Sequence, residues 1–395
     1  MLVFAEVLWP NGGGAELATN LFVNSLVGRG YDVTVITGQH MVRSQDGART
    51  LTSGALVAKS KTELWINILS RSADFENVIR DHEVVYIPRL CYPIAPVAKK
   101  LGKRVFIHLH DYLPISYTAA VPAPFEQTAE YARSVQGFNL WLEGRRGRAA
   151  QSLAVFGRLY TSSARRWLSY ADRLICVSDR QAQIMALSAP ELKSLLTRVY
   201  NPLPEMPKIP RRPRREPLFL YVGGDSFHKG FHIFMKVADQ LLSQGVSVRF
   251  LITGDANRRD QNLLSNELSK FTGAFETPGR MPYGSLLEQY FRVRGLVFPS
   301  IWEEPLSYAI AESMSAGTIP IASRVGGNSE LIGGSAAARY LFEPFGLDSL
   351  IDNVKEVLSL SEDELLSIGE NLKLSISNTL RAEETTEKFV RFFEE

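Results

Sequence analysis

The sequence predicts an α/β protein made of two doubly wound, parallel-sheet domains, on three observations. The chain has 395 residues, more than one hydrophobic core usually spans, so two domains of about 200 residues each are expected. Short apolar runs alternate along it with segments of helical spacing, the pattern of parallel strands joined by crossover helices. A stretch rich in proline and arginine, residues 203–217, has linker composition and falls near the middle. The expected division is therefore a first domain over 1–202, a linker over 203–217, a second domain over 218–380, and a closing helix over 381–395. The apolar face of that helix, Phe389, Val390 and Phe393, suits packing back across the first domain.

Composition excludes several classes. Hydrophobic residues make up 45% and charged residues 22% of the chain, as in ordinary globular proteins. Lys and Arg number 44 against 42 Asp and Glu, a balance that gives no reason to expect nucleic acid as a partner. The two cysteines, Cys91 and Cys176, form no metal or redox motif, and Cys176 sits in an apolar run that suits a plain buried thiol. Leu2, Val3, Phe4 and Ala5 run straight into Glu6, so neither a charged leader nor a signal core is read there. No window has the apolar length of a spanning helix. A cytoplasmic location is expected, with any membrane role peripheral at the inner face.

The first domain follows in order. Residues 2–8 read as a buried strand, and Trp9 to Glu16, with Gly12, Gly13 and Gly14, turn it into a helix carrying Leu17, Leu21, Phe22 and Leu26 on one face. Glycines beside a helix N-terminus let backbone approach a ligand, or simply make a tight turn. The spacing is not G-x-G-x-x-G, because Leu17 stands where the last glycine would be, which argues against a dinucleotide dehydrogenase. Residues 32–37, 83–87 and 104–109 are further strands. The last runs into His108, Leu109, His110, Asp111 and Pro114, at the strand end where such folds place ligands. His108 and His110 share a face, but no third ligand lies near in sequence, so no metal is expected.

Residues 117–170 interleave Trp141, Leu142, Leu153, Phe156, Leu159, Tyr160 and Trp167 with Arg145, Arg146, Arg148, Arg158, Arg165 and Arg166. Such a stretch suits a membrane surface or an anionic acceptor, and equally a solvated helical pair packed on the sheet. Residues 171–178 read as a strand ending in a capping serine, Ser178, and residues 197–202 as a last short strand. The arginines of the linker read as solvated.

In the second domain, residues 218–222 start a new sheet, and Gly223 to Gly230, including Lys229, lead into a helix burying Phe234, Val237 and Leu241. Residues 246–253 form a strand, and Gly279 to Tyr290 a loop and helix. The centre of the domain is 296–332. Leu296, Val297 and Phe298 read as a strand, Glu304 and Pro305 as a helix entrance, and Leu306, Ile310 and Met314 as a helix that Gly317 ends. Residues 318–322 are the next strand, and Val325, Gly326 and Gly327 lead into a short helix. Glu304 and Glu312 are eight positions apart, so an even number of helical turns would bring both to one face. Free backbone N–H groups around Leu306 and Ser307 favour an anion. Carboxylates for hydroxyls beside a helix start for phosphate describe a sugar-nucleotide site.

The run Glu304 to Met314, followed by Gly317, Pro320, Val325, Gly326 and Gly327, resembles the E-x7-E block of the family 4 retaining glycosyltransferases. The resemblance continues through Gly13 and Gly14, His110, the segment 171–178, Lys229, and the run from Gly279 through Leu286 and Leu287 to Tyr290, which resembles the loop and helix flanking the base pocket. It implies the GT-B fold, two Rossmann-like domains facing each other across a cleft, the first binding the acceptor and the second the nucleotide sugar. It also implies a metal-independent hexosyltransferase that uses no cofactor and takes a UDP- or GDP-sugar as co-substrate. The acceptor would be a hydroxyl group on a glycan, a lipid-linked molecule or a small glycoside.

On that resemblance His110 lies close to the transferred sugar, an oriented structural histidine being the alternative. Glu304 orients the donor sugar, Glu312 holds ribose hydroxyls, and Lys229 holds the diphosphate, a plain surface lysine being the alternative. Gly13 and Gly14 border the donor. Gly224 stands where the family places a phosphate-binding arginine, so Arg324 or His228 is a candidate to supply the missing charge. A sugar-nucleotide epimerase of the same fold, or a non-catalytic binding subunit, would share these features.

Overall fold

The computed structural model describes residues 1–39, 47–128, 147–223, 227–254, 265–266 and 269–394. The chain divides into two compact units, one of Met1–Ala120, Ala132–Pro202 and Arg381–Glu395, the other of Val121–Tyr131 and Leu203–Leu380. Each is built on its own parallel sheet.

Among the described residues the first unit has seven strands: β1 (Leu2–Phe4), β2 (Thr34–Thr37), β3 (Arg49–Thr52), β4 (Val84–Ile87), β5 (Arg104–Leu109), β6 (Arg173–Cys176) and β7 (Leu196–Arg198). Their order is β3-β2-β1-β4-β5-β6-β7, so the winding reverses between β1 and β4. Strand β1 pairs in parallel with both neighbours, Val3 standing opposite Val35 on one side and Tyr86 on the other. The central strands are apolar on both faces because helices cover both. One covering element is the closing helix, Ala382–Glu394. Its Phe389 ring lies 4.2 Å from that of Phe22 and its Phe393 ring 4.8 Å from that of Phe106, in one core with Tyr86 and Val390. Ser178 caps the helix Asp179–Ser188, its hydroxyl oxygen accepting from the Gln181 N–H at 3.1 Å.

The second unit has six described strands: β8 (Leu218–Val222), β9 (Arg249–Thr253), β10 (Phe275–Gly279), β11 (Gly295–Phe298), β12 (Ile319–Ser323) and β13 (Leu341–Phe342). The order β10-β9-β8-β11-β12-β13 puts its reversal between β8 and β11. In open α/β sheets ligands bind beyond the carboxyl ends of the strands that flank such a reversal.

The structure departs from the sequence reading in several places. Strand β1 ends at Phe4 instead of running on to residue 8. Strands β3 and β10 were not anticipated; both consist mainly of exposed or half-exposed residues and lack an apolar run. The linker arginines are not all solvated. Arg211 is buried and donates to the carbonyl of Tyr290 at 3.1 Å, that of Arg294 at 3.3 Å and the Thr318 hydroxyl. Arg214 pairs with Glu276 at 2.7 Å. The segment starting at Val121 belongs to the second unit, tied there by Glu303 N–H to the Val121 carbonyl at 2.7 Å and Ala123 N–H to the Ile301 carbonyl at 3.0 Å.

In the basic and aromatic stretch, Trp141, Leu142, Arg145 and Arg146 lie outside the described residues. The described end of it packs inward: the Tyr160 ring stacks on Trp65 at 3.9 Å, and Trp167 meets the same ring edge-on at 4.7 Å. Gly224 also lies outside the described residues. Among those described, no helix is long and apolar enough to cross a membrane.

Candidate functional site

Two loops leave the carboxyl ends of β8 and β11 at the reversal of the second sheet, and each brings a charged group to the other. Lys229 comes from the loop after β8, and Glu304 from the loop after β11. The Lys229 ammonium lies 2.7 and 2.8 Å from the two carboxylate oxygens of Glu304. Glu304 also accepts from the Ser300 hydroxyl at 2.9 Å and from the Trp302 indole N–H. With 2% of its surface exposed, Glu304 is held by donors all round. The ammonium in turn lies 5.3 Å from the ring centres of Phe298 and Trp302, within cation–π range.

Two glycines make this geometry possible. Gly230 has φ +75°, and a Cβ there would fall 1.8 Å from the Pro299 carbonyl oxygen, so only glycine lets the Lys229 loop lie against the strand end. Gly326 has φ +51°, and a Cβ there would fall 1.9 Å from the Glu304 carbonyl oxygen. The Gly327 N–H donates to that same oxygen at 2.8 Å. The Lys-Gly and Val-Gly-Gly motifs are thus both close-approach devices around one carboxylate. Beside it Glu303, also buried, accepts from the N–H groups of Gly326 and Phe125, each at 2.8 Å. It staples the Val121 segment to the loop, a role that sequence reasoning missed because its partners lie far away in the chain.

Glu312 occupies different surroundings. The helix runs Tyr308–Ser315 with Ser307 as its N-cap, so Pro305 and Glu304 stand before it. Helical periodicity therefore does not relate the two glutamates, contrary to the expectation. Glu312 is 3% exposed, and its oxygens accept from the hydroxyls of Tyr283 at 2.6 Å and Tyr290 at 2.9 Å. Burial raises its pKa, against the effect of both tyrosine bonds. Tyr290 is fully buried, whereas Tyr283 is only partly so. Of the two, only Tyr290 was named from sequence, as the end of the loop and helix that resemble those flanking a base pocket. Leu306 and Ser307 sit at the helix entrance, where the geometry leaves backbone N–H groups without intrahelical acceptors. Arg324 lies on the surface, its guanidinium 3.0 Å from the exposed carboxylate of Glu343. The His228 carbonyl accepts from Ser300 and Ile301, and its ring lies 6.3 Å from Trp302, on the Lys229 side of the site.

In the first unit, Gly13 is the N-cap and Gly14 the first residue of the helix Gly14–Gly28. The turn's conformational demand falls on Gly12, at φ +94°, where a Cβ would meet the Glu16 side chain at 2.5 Å. Glu16, itself buried, accepts from the Gly13 N–H at 2.7 Å and pairs with the half-buried Arg89, which follows β4. His110 follows β5, its ring stacked on His108 at 4.3 Å, while His108 Nδ1 contacts the Tyr86 hydroxyl at 2.9 Å. Asp111 locks the turn, accepting from Leu113 N–H at 2.8 Å, while its carbonyl receives Gln181 Nε2 at 3.1 Å. Burial first, and the Arg89 charge second, lower the His110 pKa to about 3, so the ring is neutral at pH 7. Among the described residues no group of three or more His, Cys, Asp or Glu side chains is placed to hold a metal ion. Both cysteines are buried and free.

Comparison with known proteins bears on the second unit most directly. Residues 204–374 match the family model of "Glycosyl transferases group 1". The lipopolysaccharide 1,2-N-acetylglucosaminetransferase of Salmonella typhimurium is 25% identical over 181 residues, which is 44% of this chain and 46% of that one. The match thus spans less than half the length of that relative. Among solved structures, Anabaena HepE in complex with UDP-glucose superposes with a TM-score of 0.68 at 14% identity, over 100% of this chain and 98% of that one. Sucrose-phosphate synthase from Thermosynechococcus elongatus gives a TM-score of 0.74 at 16% identity, over 100% and 98%. The chain therefore has the GT-B fold, and its residues 204–374 match the glycosyl transferases group 1 model.

Proposed function

We propose that this protein is a retaining, metal-independent glycosyltransferase that moves a hexose from a nucleotide diphosphate sugar to a hydroxyl acceptor. The observation that carries the reading is the Lys229–Glu304 pair at the reversal of the second sheet, inside the segment that matches the group 1 model. A UDP-sugar is favoured over a GDP-sugar, because the HepE complex holds UDP-glucose. A glycan is favoured as acceptor, because the Salmonella relative is named for lipopolysaccharide.

In this reading the donor diphosphate takes the place of Glu304 as principal partner of Lys229. The ammonium then neutralises the charge that builds on the leaving diphosphate, assisted by the helix entrance at Leu306 and Ser307. Glu304, released from the pair but still held by Ser300 and Trp302, orients the hydroxyls of the donor sugar. Glu312 receives the ribose hydroxyls. Tyr290 keeps its bond because it is buried, so the more exposed Tyr283 is the one that yields. Gly13 and Gly14 border the donor, and Arg324 would need to leave Glu343 to reach it. His110, neutral at pH 7, stabilises the reaction centre by its polar ring edge. Attack and departure on one face of the sugar require no protein nucleophile and retain the anomeric configuration.

The test is incubation of the full chain with UDP-glucose, UDP-N-acetylglucosamine and GDP-mannose, with and without bacterial oligosaccharides. Acceptor-dependent release of UDP, with an NMR-observed product of unchanged anomeric configuration, is the expected result. An isomerised sugar nucleotide, or binding with no release, would contradict it.

A further inference from the structure

His110 is not aimed by a hydrogen bond. Among the described residues no donor or acceptor meets its ring, and its Nε2 is buried without a partner. Histidines that act on a substrate are usually oriented by a bond to one ring nitrogen. What this ring touches instead is His108, two positions earlier and so on the same side of the chain, with ring centres 4.3 Å apart and planes 25° from parallel.

His108 is itself clamped. It is fully buried, and its Nδ1 lies 2.9 Å from the hydroxyl of Tyr86, in β4, which is fully buried as well. The rings of Phe22 and Phe389, from the helix Gly14–Gly28 and the closing helix, stand 5.3 and 6.3 Å from it. An imidazole turns about its Cβ–Cγ bond in a broad well, so packing sets the ring plane loosely and the Tyr86 bond fixes it. The Nε2 of His108 is left buried and unpaired, a cost in stability that an aliphatic side chain would not carry. Histidine is therefore a poor choice for filling this core and a good one for presenting a flat ring at a fixed angle.

Building on the proposed transferase activity, we infer that His108 is a positioning residue for His110, holding the plane of its ring by stacking, and that Tyr86 anchors His108 through the bond to Nδ1. Both are buried away from any substrate, so they act through His110 alone.

The test uses the full chain carrying 13C-labelled histidine; its 6 histidines are few enough to assign by single substitutions. Two readouts are taken on the wild type, His108→Leu, His108→Phe and Tyr86→Phe. One is the NMR relaxation of the ring C–H groups, which reports fast ring mobility. The other is kcat and KM for the UDP-sugar that the wild type uses, with UDP affinity alongside. The expected result for His108→Leu is a mobile His110 ring and a kcat lower by about tenfold or more, with KM and UDP affinity within about twofold of wild type. Tyr86→Phe should move both readouts the same way, by about two- to fivefold in kcat, and His108→Phe, which restores a flat ring, should recover most of the loss. Tyr86→Phe removes a single oxygen and keeps the test open if His108→Leu does not fold. A wild-type ring and kcat in the folded variants, or kcat and UDP affinity falling together, overturns the inference and leaves the transferase reading standing. A wild type that transfers no sugar overturns that reading instead, and the relaxation data then decide the ring contact by themselves.

Discussion

The Lys229 ammonium lies 2.7 Å from one carboxylate oxygen of Glu304 and 2.8 Å from the other, joining the loops that leave β8 and β11. Lys229 is 29% exposed on its side chain and Glu304 3%, so the pair is wet on one side and dry on the other. Glu304 keeps two further donors, so loss of the lysine should cost stability moderately. Lys229→Met is expected to destabilise the protein by about 1–3 kcal/mol, and Glu304→Gln in the same background should recover part of that loss. Denaturant titration of the two single variants and the double variant measures the coupling; additive losses would mean that the pair is not formed in solution.

Gly326, like Gly230, is a position where the site leaves no room for a side chain. Gly326→Ala forces a Cβ onto the Glu304 backbone and a methyl-bearing residue into φ +51°. The expected outcome is loss of nucleotide binding together with a lowered melting temperature. Gly334→Ala, where a Cβ would meet nothing within 4 Å, serves as the neutral control. Equal behaviour of the two variants would show that the close approach is not required.

Tyr283 and Glu312 offer a test by gain. If ribose hydroxyls compete with Tyr283 for the same oxygen, Tyr283→Phe removes the competitor and should tighten UDP binding by about two- to tenfold. Tyr290→Phe should chiefly lower stability, because Tyr290 is fully buried. Isothermal titration with UDP distinguishes the two, and weaker binding by Tyr283→Phe would assign that tyrosine to the ligand itself.

The pH dependence has a definite sign at His110. Its pKa falls from 6.5 to about 3 on folding, so below pH 6.5 the unfolded chain binds the extra proton. The stability it contributes is complete above pH 6.5 and is lost as pH falls toward about 3. His110→Gln should flatten the decline of melting temperature over that window, although buried Glu6 and Glu312, with raised pKa values, add slopes of the opposite sign. His110→Ala should cut turnover while leaving UDP affinity largely unchanged; equal losses in both would assign it to donor binding.

Much of the fold was legible because parallel, doubly covered strands such as β5 and β8 are continuous apolar runs. Strands β3 and β10 carry no such run, most of their residues being half or fully exposed, and they escaped for that reason. In the site, Lys229 and Glu304 stood out because each lies beside a glycine or proline that punctuates the chain. Tyr283 and Arg89 did not, because their partners come from other elements that only folding brings near. Arg211 shows the same limit: a proline-rich neighbourhood looks solvated, yet carbonyls of Tyr290 and Arg294 converge on its guanidinium. Burial lowers its pKa to about 10.

The most direct measurement is the affinity of the full chain for UDP, by isothermal titration, in the wild type and in Lys229→Ala. Saturable one-to-one binding that the substitution weakens by tenfold or more is the result the account predicts. Binding of equal strength in both proteins, or none in either, would contradict it.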